Sequence, residues 1–170
     1  YALAICCIGA LAGCASMFGP TTSDPAVKLQ WAEENLVRNT DPAAAEKLIR
    51  DAMEIYEKKK DRPGLAEAYR QYGLFLRSYS VSNAAEYYTE EGFLDKTVQF
   101  NDRYEKAIEY FSMSRDLLAD LGRYDTLASV YVSLAKTYGL TNRRDEACKA
   151  FDKSLESFAR FKMASKKTAE

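Results

Sequence analysis

From Pro25 to Lys162 apolar residues recur at i, i+3, i+4 and i+7, and nothing alternates with period two for long, which predicts helices and no sheet. The clearest stretch, Ala128 to Leu155, reads ASVYVSLAKTYGLTNRRDEACKAFDKSL. It places Tyr131, Leu134, Ala135 and Tyr138 on one helix and Ala147, Phe151, Ser154 and Leu155 on the next. Local chemistry marks the boundaries. Asp24-Pro25 and Asp41-Pro42 each read as an N-cap followed by proline at the first helical position. Asn101 before DRYEKAIEY and Asn142 before RRDEACKAF are expected caps, while Arg62-Pro63-Gly64 and Leu121-Gly122 punctuate joints.

The same lattice occurs twice more. Leu29, Ala32, Glu33 and Leu36 precede Ala45, Ile49, Ala52 and Tyr56, while Tyr69, Tyr72, Gly73 and Leu76 precede Ala107, Phe111, Ser114 and Leu118. Phe158 completes the third unit as Tyr56 and Leu118 complete the others. From 29 to 69 is 40 residues and from 107 to 147 is 40, whereas 69 to 131 and 45 to 107 are both 62. One period of 40 therefore fits all three units if 22 residues are inserted between the helices of the second. A large residue, Leu, a small residue and Tyr on one helix, answered by Ala, an aromatic and a small residue on the next, resembles the tetratricopeptide repeat (TPR). Two departures stand out: the period is 40 and not the family's usual 34, and Glu33 occupies a small-residue position. The resemblance implies an all-α fold, a right-handed α-α superhelix (TPR-like solenoid) of three helix pairs with one 22-residue insertion, spanning 25–162 with the insertion at about 79–100. Small residues such as Ala135 and Ala147 would sit where antiparallel helices cross most closely. A polar, lysine-rich tail, 163–170, is expected to fray.

Charge is placed unevenly. Residues 1–23 carry none of the 24 basic and 25 acidic side chains. The run Tyr1 to Phe18, YALAICCIGALAGCASMF, is marginal in length for a membrane span of roughly 20 residues and lacks the periodicity of a core helix. A secretory h-region fits best, although neither an initiator Met nor a basic n-region precedes it. At its end Leu11-Ala12-Gly13-Cys14 resembles the lipobox of bacterial lipoproteins. That resemblance implies a signal peptide at 1–13, acylation of Cys14 (palmitate among its chains), and a lipidated tether at 14–24. Several acyl chains hold a protein stably where one holds it marginally. Ala15 is not Asp, which by resemblance to enterobacterial sorting favours the periplasmic face of the outer membrane. Cys6 and Cys7 would be discarded, leaving Cys148 as a single thiol with no disulfide framework; it is expected to be a buried small apolar residue.

With a net charge of -1 there is no global electrostatic case for nucleic acid as a partner. The absence of histidine removes the commonest general base and zinc ligand, and no phosphate loop, Cys-x-x-Cys pair or nucleophile elbow occurs. No catalytic residue, metal site or cofactor is expected, and the chain reads as no enzyme. Glu86, Glu90, Glu91 and Asp95 lack the spaced Asp/Asn/Gly loop that calcium needs.

TPR arrays bind mainly through the inner face of the first helix of each pair. The resemblance puts Gln30, Glu34, Arg38, Arg70, Leu74, Arg77, Val132 and Lys136 there. Arg70, Arg77 and Lys136 would make that groove basic and suited to an acidic peptide. Solvated helix-face charge is the plainer reading. The insertion is too aromatic for disorder. Tyr79, Tyr87, Tyr88 and Phe93 either pack on their own domain or anchor a partner. The expected function is an outer-membrane-anchored periplasmic adaptor or scaffold for an envelope assembly such as secretion, pilus or cell-wall machinery. Its partners would be an envelope protein or peptide, the membrane through its lipid anchor, and in one variant a second copy covering Phe158, Phe161 and Met163. The alternative is a substrate-binding or accessory enzyme component with a deep polar pocket under the insertion.

Overall fold

The computed structural model describes residues 22–167. The expected signal segment, Cys14 and most of the tether lie outside the described residues, as does the end of the tail. Among the described residues the chain is helical throughout, without strands. The long helices are α1 (Pro25–Arg38), α2 (Pro42–Lys59), α3 (Arg62–Leu76), α6 (Arg103–Asp120), α7 (Tyr124–Leu140) and α8 (Arg144–Lys167). Between α3 and α6 lie α4 (Tyr79–Asn83), α5 (Ala85–Glu90) and a single 3-10 turn, Phe100–Asp102. No described helix is long and apolar enough to cross a membrane.

The first three helices start where side chains satisfy orphan amides. Asp24 accepts from the Ala26 amide at 2.9 Å, Asp41 from Ala44 at 2.8 Å, and Asp61 from Gly64 at 3.0 Å. Arg62-Pro63-Gly64 is therefore the first turn of α3 and not a joint, because Asp61 supplies the cap. The tight joints share one stop. Asn39, Lys60, Gly122 and Asn142 stand in the left-handed region (φ 53°, 55°, 65° and 60°). The next amide returns to a carbonyl five residues back: Thr40 to Asn35, Asp61 to Tyr56, Arg123 to Leu118 and Arg143 to Tyr138, at 2.9 to 3.1 Å. This is the Schellman closure, and it uses carbonyls that the helix end leaves free. Asn142 thus takes the left-handed turn position instead of capping α8, a role its short amide side chain tolerates. Asn101 likewise lies inside the 3-10 turn and caps nothing.

Four closures of one geometry reverse the chain the same way four times. Helix α1 packs on α2, α2 on α3, α6 on α7 and α7 on α8. Across the insertion α3 and α6 pack on each other. They run antiparallel, since the Ser114 hydroxyl donates to the Ala66 carbonyl (2.7 Å) while Arg62 pairs with Asp120. The crossing is close at Gly73, where a Cβ would stand 2.7 Å from the Phe111 ring. The Ser154 hydroxyl donates to the Ala128 carbonyl at 2.9 Å, so one bond joins α3 to α6 and α7 to α8 at positions 40 and 62 residues apart. The core runs from Leu29 to Ala150 through Ile49, Tyr72, Phe75, Phe111 and Leu134. Helix α8 continues to Lys167, so the tail expected to fray from 163 is helical over its first five residues.

Candidate functional site

Helices α1, α3 and α7 carry the residues of the expected groove, with Arg77 at the C-cap of α3. Gln30, Glu34, Arg38 and Lys136 are exposed, and Arg70, Leu74, Arg77 and Val132 are half-buried. The structure does not gather free positive charge there. Arg70 lies in a fork with Glu67, two bonds of 2.8 and 2.6 Å, and that hydrogen bonding pushes its pKa up. Arg77 turns inward. It donates to the Ser133 carbonyl at 3.2 Å, lies over the Phe111 ring, and is held below its ordinary pKa by burial. Of the three cations expected to make the groove basic, one is neutralised and one ties α3 to α7. Lys136 is left on the surface, so the expectation of a basic groove is corrected.

The insertion divides its aromatic residues. Tyr88 and Phe93 are buried and stack on each other with ring centroids 4.4 Å apart, and both meet Phe75 edge-on. Neither is available as an anchor for a partner; both belong to the core. Tyr79 and Tyr87 are exposed. A polar clip holds the segment down. Glu46, buried on α2, accepts from the Tyr72 hydroxyl at 2.8 Å and from the Leu94 amide at 2.7 Å. Burial drives its pKa up against the opposing hydrogen bonds. Tyr110 donates to Asp95 and receives Arg50 at 3.3 Å. At Asp95 the hydrogen bonds from Tyr110 and Thr97 overcome the upward push of burial and hold the carboxyl below its usual range.

The helical periodicity does not single out Glu46. Its only signal is an acid on the apolar lattice of α2, one residue after Ala45. The space under the insertion is filled by Phe75, Tyr88 and Phe93, and what remains is a half-open cleft of about 300 Å³ at its edge, lined by Glu46, Lys47, Tyr87, Leu94 and Lys96. The deep polar pocket required of a substrate site there is not found among the described residues. Nor do His, Cys, Asp and Glu gather anywhere among them in a group that could hold a metal ion.

The end of the bundle is different. Between α7 and α8 runs an open groove of about 280 Å³ lined by Ala128, Val132, Leu155, Phe158 and Phe161. The outer face of α8 is apolar and uncovered: Phe151 is 45% exposed, Leu155 69% and Phe158 47%. Their lattice counterparts on α2 and α6 include Tyr56 at 8% and Leu118 at 3%, because α3 and α7 cover them. Small residues, Ala150, Ser154 and Ser157, turn α8's other face onto α7. Cys148 is exposed and not buried as expected, since it lies on the outer face of α8. No family model, curated protein or solved structure matches the chain.

Proposed function

We propose that the chain is a lipid-anchored, TPR-like adaptor: three helix pairs forming a short right-handed solenoid, held through Cys14 at the periplasmic face of the bacterial outer membrane and binding another envelope protein. The observation that carries this reading is the recurrence of one internal contact. Ser114 to the Ala66 carbonyl and Ser154 to the Ala128 carbonyl repeat at the 40- and 62-residue spacings that fit the whole lattice. Stacked helix-pair repeats build an extended surface and not a closed pocket, and binding is what such surfaces do. The filled interior under the insertion agrees with a binding module. The partner-facing residues are the exposed members of the first-helix face, Gln30, Glu34, Arg38 and Lys136, with Tyr79 and Tyr87 of the insertion. The lipid anchor rests on the Leu11-Ala12-Gly13-Cys14 resemblance.

Photo-crosslinking amino acids placed in cells at Tyr79, Tyr87 and Lys136 test the surface. A common envelope protein captured at these positions is expected, and no protein adduct at any of the three would remove this face from the proposal. Labelling with radioactive palmitate tests the anchor. Label is expected in the wild type and not in Cys14→Ala, and a labelled Cys14→Ala chain would overturn the acylation site.

A further inference from the structure

The uncovered face of α8 has a regular form. Cys148, Phe151, Leu155 and Phe158 follow one another at steps of three, four and three residues, the spacing of a helix-pairing seam. The covered counterparts of these residues lie under a helix that runs antiparallel to their own. Tyr56 of α2 meets α3 at Gly64, and Leu118 of α6 lines a cleft together with Thr126 of α7. The α8 face is therefore shaped for one more antiparallel helix, and the described chain supplies none.

Charge and area identify the helix that fits. From Arg144 to Glu156 α8 carries four acids (Asp145, Glu146, Asp152, Glu156) against three bases (Arg144, Lys149, Lys153); Glu146 and Glu156 are bridged to Arg143 and Lys153, which leaves Asp145 and Asp152 to face a partner. From Ser157 to Lys167 it carries Arg160, Lys162, Lys166 and Lys167 and no acid. A second α8 laid antiparallel sets each basic end beside an acidic half, whereas a parallel copy opposes like charges. Along the seam Phe151, Leu155 and Phe158 are 45 to 69% exposed. With about 150–250 Å² for a large side chain, that is roughly 300 Å² of apolar surface per copy. Two copies then bury about 600 Å² of apolar surface along the seam, which at the roughly 60% apolar composition of such interfaces corresponds to about 1,000 Å² in all, the size at which a specific interface begins.

We propose that α8 is a dimerisation helix, pairing antiparallel with α8 of a second copy of this chain about a two-fold axis that crosses the seam face level with residues 156 and 157. In that register Leu155 packs on Phe158 of the second copy, Phe151 on the stem of its Lys162, and Cys148 faces its Ser165. The interface is isologous and closes at two copies, so it does not propagate into filaments. It leaves the first-helix face of the proposed adaptor open and does not depend on that reading.

The test uses residues 15–170, which contain the whole described core and lack Cys6, Cys7 and Cys14. Sedimentation equilibrium over a wide concentration range should give a dimer. Phe158→Asp should weaken it by about 30-fold or more, as loss of a central aromatic anchor does. Its helical circular dichroism and melting temperature should be kept at monomer-favouring concentration, since Phe158 is half exposed in one copy. Orientation is read from disulfides under mild oxidation. Cys148 lies 17 residues, about 25 Å along the helix, from the position that faces its own counterpart. The wild type should therefore form no covalent dimer, and Ser165→Cys should form one through Cys148. A wild type that stays monomeric throughout, or a Phe158→Asp variant that dimerises as tightly, overturns the proposal. Covalent dimers through Cys148 alone, or none from Ser165→Cys, overturn the antiparallel arrangement.

Discussion

Replacing Glu46 separates two roles that one carboxyl combines. It accepts from Tyr72, whose hydroxyl is fully buried, and from the Leu94 amide, so it is the bond between α2, α3 and the insertion. Glu46→Leu keeps the volume and deletes Oε1, the oxygen that accepts both bonds. The Tyr72 hydroxyl is then buried without a partner, at about 1–3 kcal/mol, and the Leu94 bond adds about 1 kcal/mol more, since that residue can turn to water. Against this stands relief from burying a carboxylate, which apolar replacements of buried ionic groups recover in part. The gross loss of about 2–4 kcal/mol is cut by that relief to a net of about 1–3 kcal/mol, a fall in Tm of roughly 3–12 °C for a body of this size. Glu46→Gln retains an acceptor oxygen and should melt close to the wild type. Thermal denaturation followed by circular dichroism measures both, and trypsin reads the insertion directly, because exposed Lys96 should be cut faster in the Leu variant. The pH dependence has a definite sign. Burial raises the Glu46 pKa in the fold, so the folded chain holds this proton more tightly than the unfolded one. The stability this adds is fully present below the unfolded value of about 4.3 and is lost as pH rises through the raised folded value. The wild type should therefore gain on Glu46→Gln as pH falls through that window. A Leu variant melting within about 2 °C of the wild type, the shift of a neutral surface change, would refute the clip.

Two further substitutions probe the interior. The Tyr88 hydroxyl is buried and finds no hydrogen-bond partner among the described residues, so Tyr88→Phe removes a desolvated group and keeps the stacked ring; urea unfolding should show it unchanged or more stable by about 1 kcal/mol, and a loss of that size would reveal a partner for the hydroxyl. Ser114→Ala and Ser154→Ala each delete one copy of the recurring bond and leave the helical carbonyls of Ala66 and Ala128 accepting within their helices. Each should cost about 1 kcal/mol; Ala52, buried at the matching position of α2, already shows that alanine fits there.

What could be read from the chain follows its periodicity. The insertion has none, so nothing in YSVSNAAEYYTEEGF separates Tyr88, which stacks on Phe93 beneath the segment, from Tyr87, which stays outside it. The basic character expected of the first-helix face was lost for a related reason. A helical wheel gives the face on which Arg77 stands, while the tertiary positions of the Ser133 carbonyl on α7 and the Phe111 ring on α6 decide where its guanidinium goes.

Local interactions within a few residues dictated the helices themselves. Asp24, Asp41 and Asp61 start them, Asn39, Lys60, Gly122 and Asn142 reverse them, and the spacing of 40 and 62 places the core positions. Those features need only the chain's own neighbours, so the sequence determined an all-helical body and most of its core by itself. Burial is a property of what lies opposite. Ile49 and Phe111 are fully buried and Phe151 is 45% exposed, although all three share one lattice position, because α2 and α6 are each followed by another long helix and α8 is followed by none in the described chain. That difference, and with it the exposed apolar face of α8, was decided only when the helices were stacked.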